Sequence, residues 1–468
     1  MKKDKYKKDL KKICKFITHD EDINLVKKYS QDWRKRFSNY SYGVIFPQNI
    51  KQVSMIVKYA NKKNIKLIPQ GGNTGLVGGT SPFQKKKEII INFEKMNKVL
   101  NIDFENKFVE LEAGVIVDDI NAKLQKHNFI FPLKISSSGS SQIGGIISTN
   151  AGGINVVRYG SIRKNILSLE IVLASGEMVK LGSNLIKDNT GYNLKDLFCG
   201  SEGTLGLITK ASIRIFSQPK DYLDIFISFK DLNQTLEMYN FISKNFEDNL
   251  DSIELISNLS FDLCLKHGLL KRSFFEKSGK YYLLIRFVSF EKKDYLIDKF
   301  QNILIDNNEK FIEFLVAQNE KQSFDFWDFR EKLTEAQKID GKLMGFDISI
   351  PNNKIPFFLE NAEKDLKKII ENIKFHIFGH LGDSNLHFNL IAPDKFKNNF
   401  YDYEKKIKKI INKYLIICDG SVSAEHGIGL LKKEDFYETK SKLEIKLMKK
   451  IKKLLDPKSI LNNKKIFN

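Results

Sequence analysis

The sequence predicts an α+β protein of two or three domains, and three observations carry that prediction. At 468 residues, 42% of them hydrophobic, the chain is too long for one ordinary core and apolar enough to be globular throughout. Residues 44–68 read as strand, helix, strand, the repeating unit of an α/β layer. From about Asp221 the pattern changes to strands alternating with amphipathic helices, which predicts an antiparallel sheet with helices on one side.

In chain order, residues 1–40 are polar and expected to be helical, with Trp33 as the large aromatic anchor near their end. Val44–Phe46 reads as a strand, and Ile50–Asn61 as a helix with Val53, Ile56, Val57 and Ala60 on one stripe. A strand at 65–68 completes the β-α-β unit. Ile89–Ile91 and Phe108–Leu111 are further strands, and Asp118–His127 is helical before the apolar Phe129–Leu133. Ile166–Ala174 and Met178–Leu181 are the arms of a hairpin turned by Ser175 and Gly176. A long strand, Leu205–Phe216, ends the first domain, and Pro219 punctuates the boundary. Beyond it, Tyr222–Phe229 and Tyr281–Val288 are strands, while Leu232–Phe246 and Ile355–Ile370 are amphipathic helices. These boundaries give an N-terminal helical segment (1–40), a first domain (41–219), a second domain (220–398) and a C-terminal helical segment (399–468) around a loop at 419–430.

The formal charge of +20 invites a nucleic-acid-binding reading. Almost all of it is lysine scattered along helices such as Lys405–Lys413, with no interleaved aromatic motif, so it reads as a solvated face able to steer anionic ligands. The four cysteines, Cys14, Cys199, Cys264 and Cys418, form no CxxC pair, so neither a disulfide scaffold nor a thiolate zinc site is suggested and a reducing compartment fits best. The start, MKKDKYKKDLKK, lacks an apolar stretch, and no run of about eighteen apolar residues occurs. The expectation is a cytoplasmic protein with no transmembrane segment, at most peripheral to a membrane.

PQGGNTGLVGG, Pro69–Gly79, holds five glycines in eleven residues and leaves a strand end, where a backbone free of Cβ atoms can approach a phosphate. Its spacing is neither GxGxxG nor a P-loop. A second glycine-dense stretch, IGGIISTNAGG at Ile143–Gly153, follows, and two such loops are expected to wrap one extended ligand from both sides.

In HIFGHLGDSNLHFNL, His376–Leu390, turn-forming residues Gly382–Asn385 separate two apolar runs. That pattern predicts a hairpin in which Leu381 pairs with Leu386 and His380 lies directly opposite His387, close enough for two imidazoles to share one ion. Glu425, in SAEHGIG, would add a carboxylate oxygen and complete a three-ligand site with an open position. His376 reads as structural, because Gly379 and its β-type neighbours argue against a helical HxxxH.

Pro69–Gly79, Ile143–Gly160, KDNTGY at Lys187–Tyr192 and GSEGTLG at Gly200–Gly206 together resemble the FAD-linked D-2-hydroxyacid dehydrogenases, a branch of the vanillyl-alcohol-oxidase (PCMH-type) flavoproteins that includes D-2-hydroxyglutarate and D-lactate dehydrogenases. The resemblance runs from about Trp33 to the C-terminus. It implies a PCMH-type FAD-binding domain of two α/β subdomains, an α+β cap and a helical segment returning to the flavin. FAD would then be held by Pro69, Gly71, Gly72, Asn73, Thr74, Gly75 and Leu76 in the first loop, and by Pro132, Gly139 and Ser140. Ile143, Gly144, Gly145, Ser148, Thr149, Asn150, Gly152, Gly153, Tyr159 and Gly160 would follow, with Glu202, Gly203 and Ile208 closing the set. No histidine for a covalent flavin occurs in the first loop, so a non-covalent cofactor is expected.

The resemblance also places the family's metal ligands on His380, His387 and Glu425, for zinc first, with manganese, iron or cobalt open. It assigns Arg330 and Thr334 to the substrate carboxylate, and Asn385 and His426 to the substrate pocket. His426 would receive the hydroxyl proton while hydride leaves Cα for the flavin, producing a 2-oxoacid. An electron-transfer flavoprotein, a quinone or a cytochrome would reoxidise the cofactor, and a homodimer stays open. One position departs from the pattern. Where 2-hydroxyglutarate members carry a lysine for a second carboxylate, this chain has Gly345, and Lys342 is an odd three residues away, on the other face of an extended strand. The rival readings are an oxygen-using oxidase on the same fold and a basic nucleic-acid-binding protein whose glycine loops are mere turns.

Overall fold

Asn49 accepts a hydrogen bond from the Gln52 N–H and starts the helix Ile50–Lys63, which ends at Asn64 in the left-handed region. Val53, Ile56, Val57 and Ala60 on its inner stripe are fully buried, as their spacing predicts. The computed structural model describes residues 2–37 and 39–467. Its chain forms two units, one of Met1–Gly152, Tyr159–Gln218 and Glu425–Asn468, the other of Gly153–Arg158 and Pro219–Ala424.

The first unit contains two main sheets. β1 (Lys15–Thr18), β2 (Gly43–Phe46), β3 (Lys66–Gln70) and β4 (Glu88–Asn92) lie in the order β1-β2-β4-β3, parallel except for β1 at the edge. β5 (Val99–Asp103), β6 (Phe108–Glu112), β8 (Ile166–Val172), β9 (Met178–Gly182) and β10 (Leu207–Arg214) form an antiparallel sheet in the order β5-β6-β10-β8-β9. β7 (Phe129–Ile130) and β11 (Phe216–Ser217) pair separately. The expected β8–β9 hairpin turns at Gly176, whose φ of 86° is the left-handed conformation that glycine adopts without strain.

Three expectations need correction in this unit. The first forty residues are not all helical: β1 lies between helices Lys2–Lys11 and Ile23–Ser30, a short KFIT strand masked by flanking lysines. Trp33 anchors nothing, being 67% exposed; Phe16 and Tyr42 fill the core there. Ile143–Thr149 is a helix rather than a loop, with Ile143, Ile146 and Ile147 buried at helical spacing. Glycine is a poor helix former, and two of them hid that periodicity.

The second unit is built on one seven-stranded antiparallel sheet of β12 (Asp221–Phe229), β13 (Leu250–Ser257), β14 (Tyr281–Ser289), β15 (Glu313–Val316), β16 (Leu343–Ser349), β17 (Lys374–His380) and β18 (Asn385–Ile391). Their order is β15-β12-β14-β13-β17-β18-β16. Helices cover both faces, not one. Asn258–Lys266 and Glu320–Asp340 bury Phe261, Phe329 and Leu333 against Phe226 and Phe378. On the opposite face Phe246 and Phe300 pack on Phe287, and Phe358 packs on Phe388. Helix periodicity tells which stripe is buried, but not against which side of a sheet. The helix Glu404–Ile417 also belongs to this unit, where Tyr414 packs on Phe357 and donates to Asp365 at 2.6 Å.

Candidate active site

β3 ends at Gln70 and releases the glycine loop. A Cβ on Gly72 would lie 1.8 Å from the Ser140 carbonyl oxygen, so the loop and the Ser137–Ser141 turn touch backbone to backbone, where only glycine fits. Thr74 Oγ1 and Ser141 Oγ add a hydrogen bond of 3.0 Å across the same seam. Gly75 and Gly145 differ from Gly72: a Cβ on either would meet nothing within 4 Å. The two loops thus meet backbone to backbone at Gly72, and Gly75 and Gly145 leave bare backbone that a phosphate-bearing cofactor such as FAD can approach.

Several expected cofactor residues support this cradle through their own partners. Asn73 has φ 57° and donates to the Gln31 carbonyl at 2.8 Å, and Gly203 presses on Pro69. Ser148 and Thr149 donate to the Gly144 and Gly145 carbonyls, and Asn150 caps their helix in the left-handed region. Ile143 and Ile208 point into the core, Tyr159 packs on Phe216 at 4.8 Å, and Gly153 falls in the second unit. The Glu202 carboxylate accepts from the N–H groups of Ile428 and Gly429 at 2.7 and 2.8 Å, so it clamps the C-terminal segment. Burial pushes its carboxyl up despite those donors.

The second unit gathers its chemistry on one sheet face. Glu254 pairs with His380, Phe378 with His387, Asp347 with His387, Ser349 with Asn385 and Gly345 with Asn389. Directly paired residues share a face, as do residues two apart on a strand, so all of these project to the same side. The expected partnership of His380 with His387 is off by two residues. A 3₁₀ turn, Leu381–Asp383, and Ser384 at φ 63° close the hairpin, and Phe378 faces His387 instead. A shift of two keeps the face, so the rings still meet, with centroids 5.4 Å apart at 81°.

Arg330 arrives on the helix Glu320–Asp340, whose neighbours Phe326, Phe329 and Leu333 bury its inner side. Its Nε donates to Glu254 Oε2 at 2.5 Å and its Cζ lies 4.8 Å from the Phe378 ring centre. The other oxygen, Glu254 Oε1, is 2.5 Å from His380 Nδ1. Burial alone would raise the Glu254 carboxyl, yet Arg330 and His380 beside it hold it down at about 2. An ionised carboxylate only accepts, so Nδ1 carries the proton, and Nε2 is the ring nitrogen that a metal ion would use. Sequence reasoning missed Glu254. Its one signal was a carboxylate inside the otherwise apolar strand LDSIELIS, Leu250–Ser257.

Asn385 Nδ2 donates to Asp347 Oδ1 at 2.9 Å, and Asn385 Oδ1 is buried with no hydrogen-bond partner among the described residues. Thr334 stands exposed one turn beyond Arg330. His376 is structural, with Nδ1 on Ser260 and Nε2 on the Leu333 carbonyl at 3.1 Å. Burial drives its imidazole down to about 4. Gly345 lies on the His387 face, where a Cβ would come 2.8 Å from Asn389 Oδ1, and Lys342 reaches the Tyr401 ring at 5.8 Å.

Glu425 follows Ala424 by one peptide bond, and the Ala424 N–H is bonded to the Asp347 carbonyl at 3.4 Å. Chain continuity therefore carries Glu425 and His426 to the end of β16. With His380 and His387, Glu425 would complete the donor set that the sequence predicts. Two imidazoles with a carboxylate are a donor set that suits a divalent cation.

Residues 42–182 match the FAD binding domain family and residues 219–466 the C-terminal domain of FAD linked oxidases. The D-2-hydroxyglutarate dehydrogenase of Arabidopsis thaliana mitochondria is 36% identical over 455 residues, spanning 95% of this chain and 78% of that one. The D-2-hydroxyglutarate dehydrogenase of Stutzerimonas stutzeri is 31% identical, spanning 97% and 96%. The D-2-hydroxyglutarate–pyruvate transhydrogenase of Saccharomyces cerevisiae is 33% identical, spanning 97% and 93%. In fold, the chain is similar to p-cresol methylhydroxylase, with a TM-score of 0.73 at 14% identity over 96% of this chain and 92% of that one. With both domains in order and these relatives spanning nearly its whole length, the chain belongs to the FAD-linked D-2-hydroxyacid dehydrogenase family on the vanillyl-alcohol-oxidase-type fold.

Proposed function

We propose that this flavoenzyme oxidises a D-2-hydroxyacid to the 2-oxoacid at a divalent cation held by His380, His387 and Glu425. The observation that carries this reading is the pair of imidazoles 5.4 Å apart on one sheet face, the nearer backed by a buried carboxylate that also holds Arg330. When bound, FAD supplies the acceptor for the hydride leaving Cα, and the cation makes the coordinated hydroxyl more acidic. The remaining work belongs to side chains. Arg330 keeps two terminal nitrogens beyond its Nε bond, a planar edge that matches a substrate carboxylate. Asn385 Oδ1, buried with no hydrogen-bond partner among the described residues, is an acceptor for a donor in the site. His426 holds the hydroxyl proton on a ring nitrogen.

Relatives named for D-2-hydroxyglutarate make that five-carbon diacid the first substrate to test. Gly345 favours a second reading, a monocarboxylate such as D-lactate, because no cationic side chain arises at that position of the site face. The acceptor is an electron-transfer flavoprotein, a quinone or a cytochrome; among the described residues no helix is long and apolar enough to cross a membrane. A panel of D- and L-2-hydroxyacids with a dye acceptor, before and after chelation, tests the reading. Turnover of D-acids that chelation abolishes and zinc, manganese or cobalt restores is expected; equal turnover of L-acids, or indifference to chelator, contradicts it.

A further inference from the structure

We infer that Glu254 is a positioning residue that ties the carboxylate-binding arm of the site to its metal arm, an inference that rests on the function proposed above. Glu254 is wholly buried, and each of its two oxygens serves one arm: Oε2 takes Arg330 Nε and Oε1 takes His380 Nδ1, both at 2.5 Å. The first bond holds the guanidinium through Nε and leaves its terminal nitrogens out of that bond. The second fixes the tautomer that leaves His380 Nε2 as a ligand. Phe378 shields the pair, with its ring 4.8 Å from the guanidinium carbon. The register is built for this contact, since Glu254 and His380 are direct partners between β13 and β17.

A carboxylate accepts at both oxygens, whereas a carboxamide accepts at one and donates at the other. Glu254→Gln therefore satisfies Arg330 or His380, never both. If its oxygen turns to Arg330, its NH₂ demands an unprotonated Nδ1, the proton moves to Nε2, and ligation is lost. If its oxygen turns to His380, its NH₂ faces Arg330 Nε–H and the arginine swings out. Glu254→Asp keeps two acceptors on a shorter arm. Charge, not shape, thus sets the order of the variants.

The test uses the purified FAD-containing protein, depleted of metal and titrated with Co²⁺ by calorimetry, followed by KM and kcat on the best D-acid. E254Q is expected to lose about 10- to 100-fold in Co²⁺ affinity, in carboxylate KM, or in both, with FAD content unchanged, and E254D to lie between E254Q and the parent. A purely structural role predicts lower stability with Co²⁺ affinity and KM intact. E254Q at parental Co²⁺ affinity and KM overturns the inference, as does E254Q equal to or better than E254D. If E254Q does not fold, E254D alone decides, since parental values in a shortened side chain also overturn it. A parent protein that takes up no Co²⁺ at all refutes the metal reading itself, and the His380 half of the inference with it.

Discussion

Replacing Arg330 by lysine keeps the positive charge and removes the planar fork. The guanidinium spends Nε on Glu254 at 2.5 Å and retains two terminal nitrogens, so it can hold a buried carboxylate and a substrate carboxylate together. A lysine ammonium is a point charge on a flexible stem and reaches one of the two. Loss of a charge-assisted hydrogen bond to substrate is worth roughly 1.5–3 kcal/mol, or about 10- to 150-fold in kcat/KM. Stability should change little, because Glu254 keeps a cation. Arg330→Met is the contrast: it takes the guanidinium from buried Glu254, leaves the His380 Nδ1 bond in place, and should cost about 3–5 kcal/mol of stability as well. Dye-linked turnover across substrate concentrations, with urea unfolding of both variants, measures the two effects separately. R330K at parental kcat/KM, or R330M as stable as R330K, would refute the assignment of Arg330 to both carboxylates.

Three further predictions rest on other parts of the fold. Gly72→Ala should fail to fold its unit, since a Cβ there meets the Ser140 carbonyl at 1.8 Å, while Gly75→Ala should fold normally and release FAD more readily; equilibrium dialysis of the flavin distinguishes them. Asp224→Ala strips Arg286 of a two-bond partner at 2.7 and 2.8 Å and Trp327 of its acceptor, and should destabilise the protein by about 3–5 kcal/mol in urea titration. His376, held at about 4, remains neutral in the folded state while an unfolded chain takes up a proton below about 6.5. Its contribution is complete above pH 6.5 and lost as pH falls to 4, on the order of 3 kcal/mol, so His376→Gln should flatten that part of the stability–pH profile.

The sequence was most legible where spacing alone decides the outcome. Alternation on strands puts His380 and His387 on one face whichever way the turn closes, because a register shift of two residues leaves the face unchanged. The 3₁₀ turn consumed residues that a tighter hairpin would have paired, and nothing in LGDS distinguishes the two closures. Glycine content marked the cradle but concealed the helix Ile143–Thr149, since glycines that allow close packing against Ala113 look the same as glycines of a loop. Glu254 was illegible for another reason: its partners lie 76 and 126 residues away, and only the folded sheet and its covering helix bring them together. Trp33 shows the converse, a large aromatic whose size suggested an anchor and whose side chain stands in solvent.

The most direct measurement is anaerobic rapid mixing of the FAD-loaded protein with D-2-hydroxyglutarate, D-lactate or their L-enantiomers, with the metal present and with it removed, following loss of the oxidised-flavin absorbance. Fast bleaching by a D-acid only in the metal-loaded protein, absent in His387→Ala at unchanged flavin content, is the predicted result. Bleaching at the same rate without metal, or by the L-acid, would contradict it.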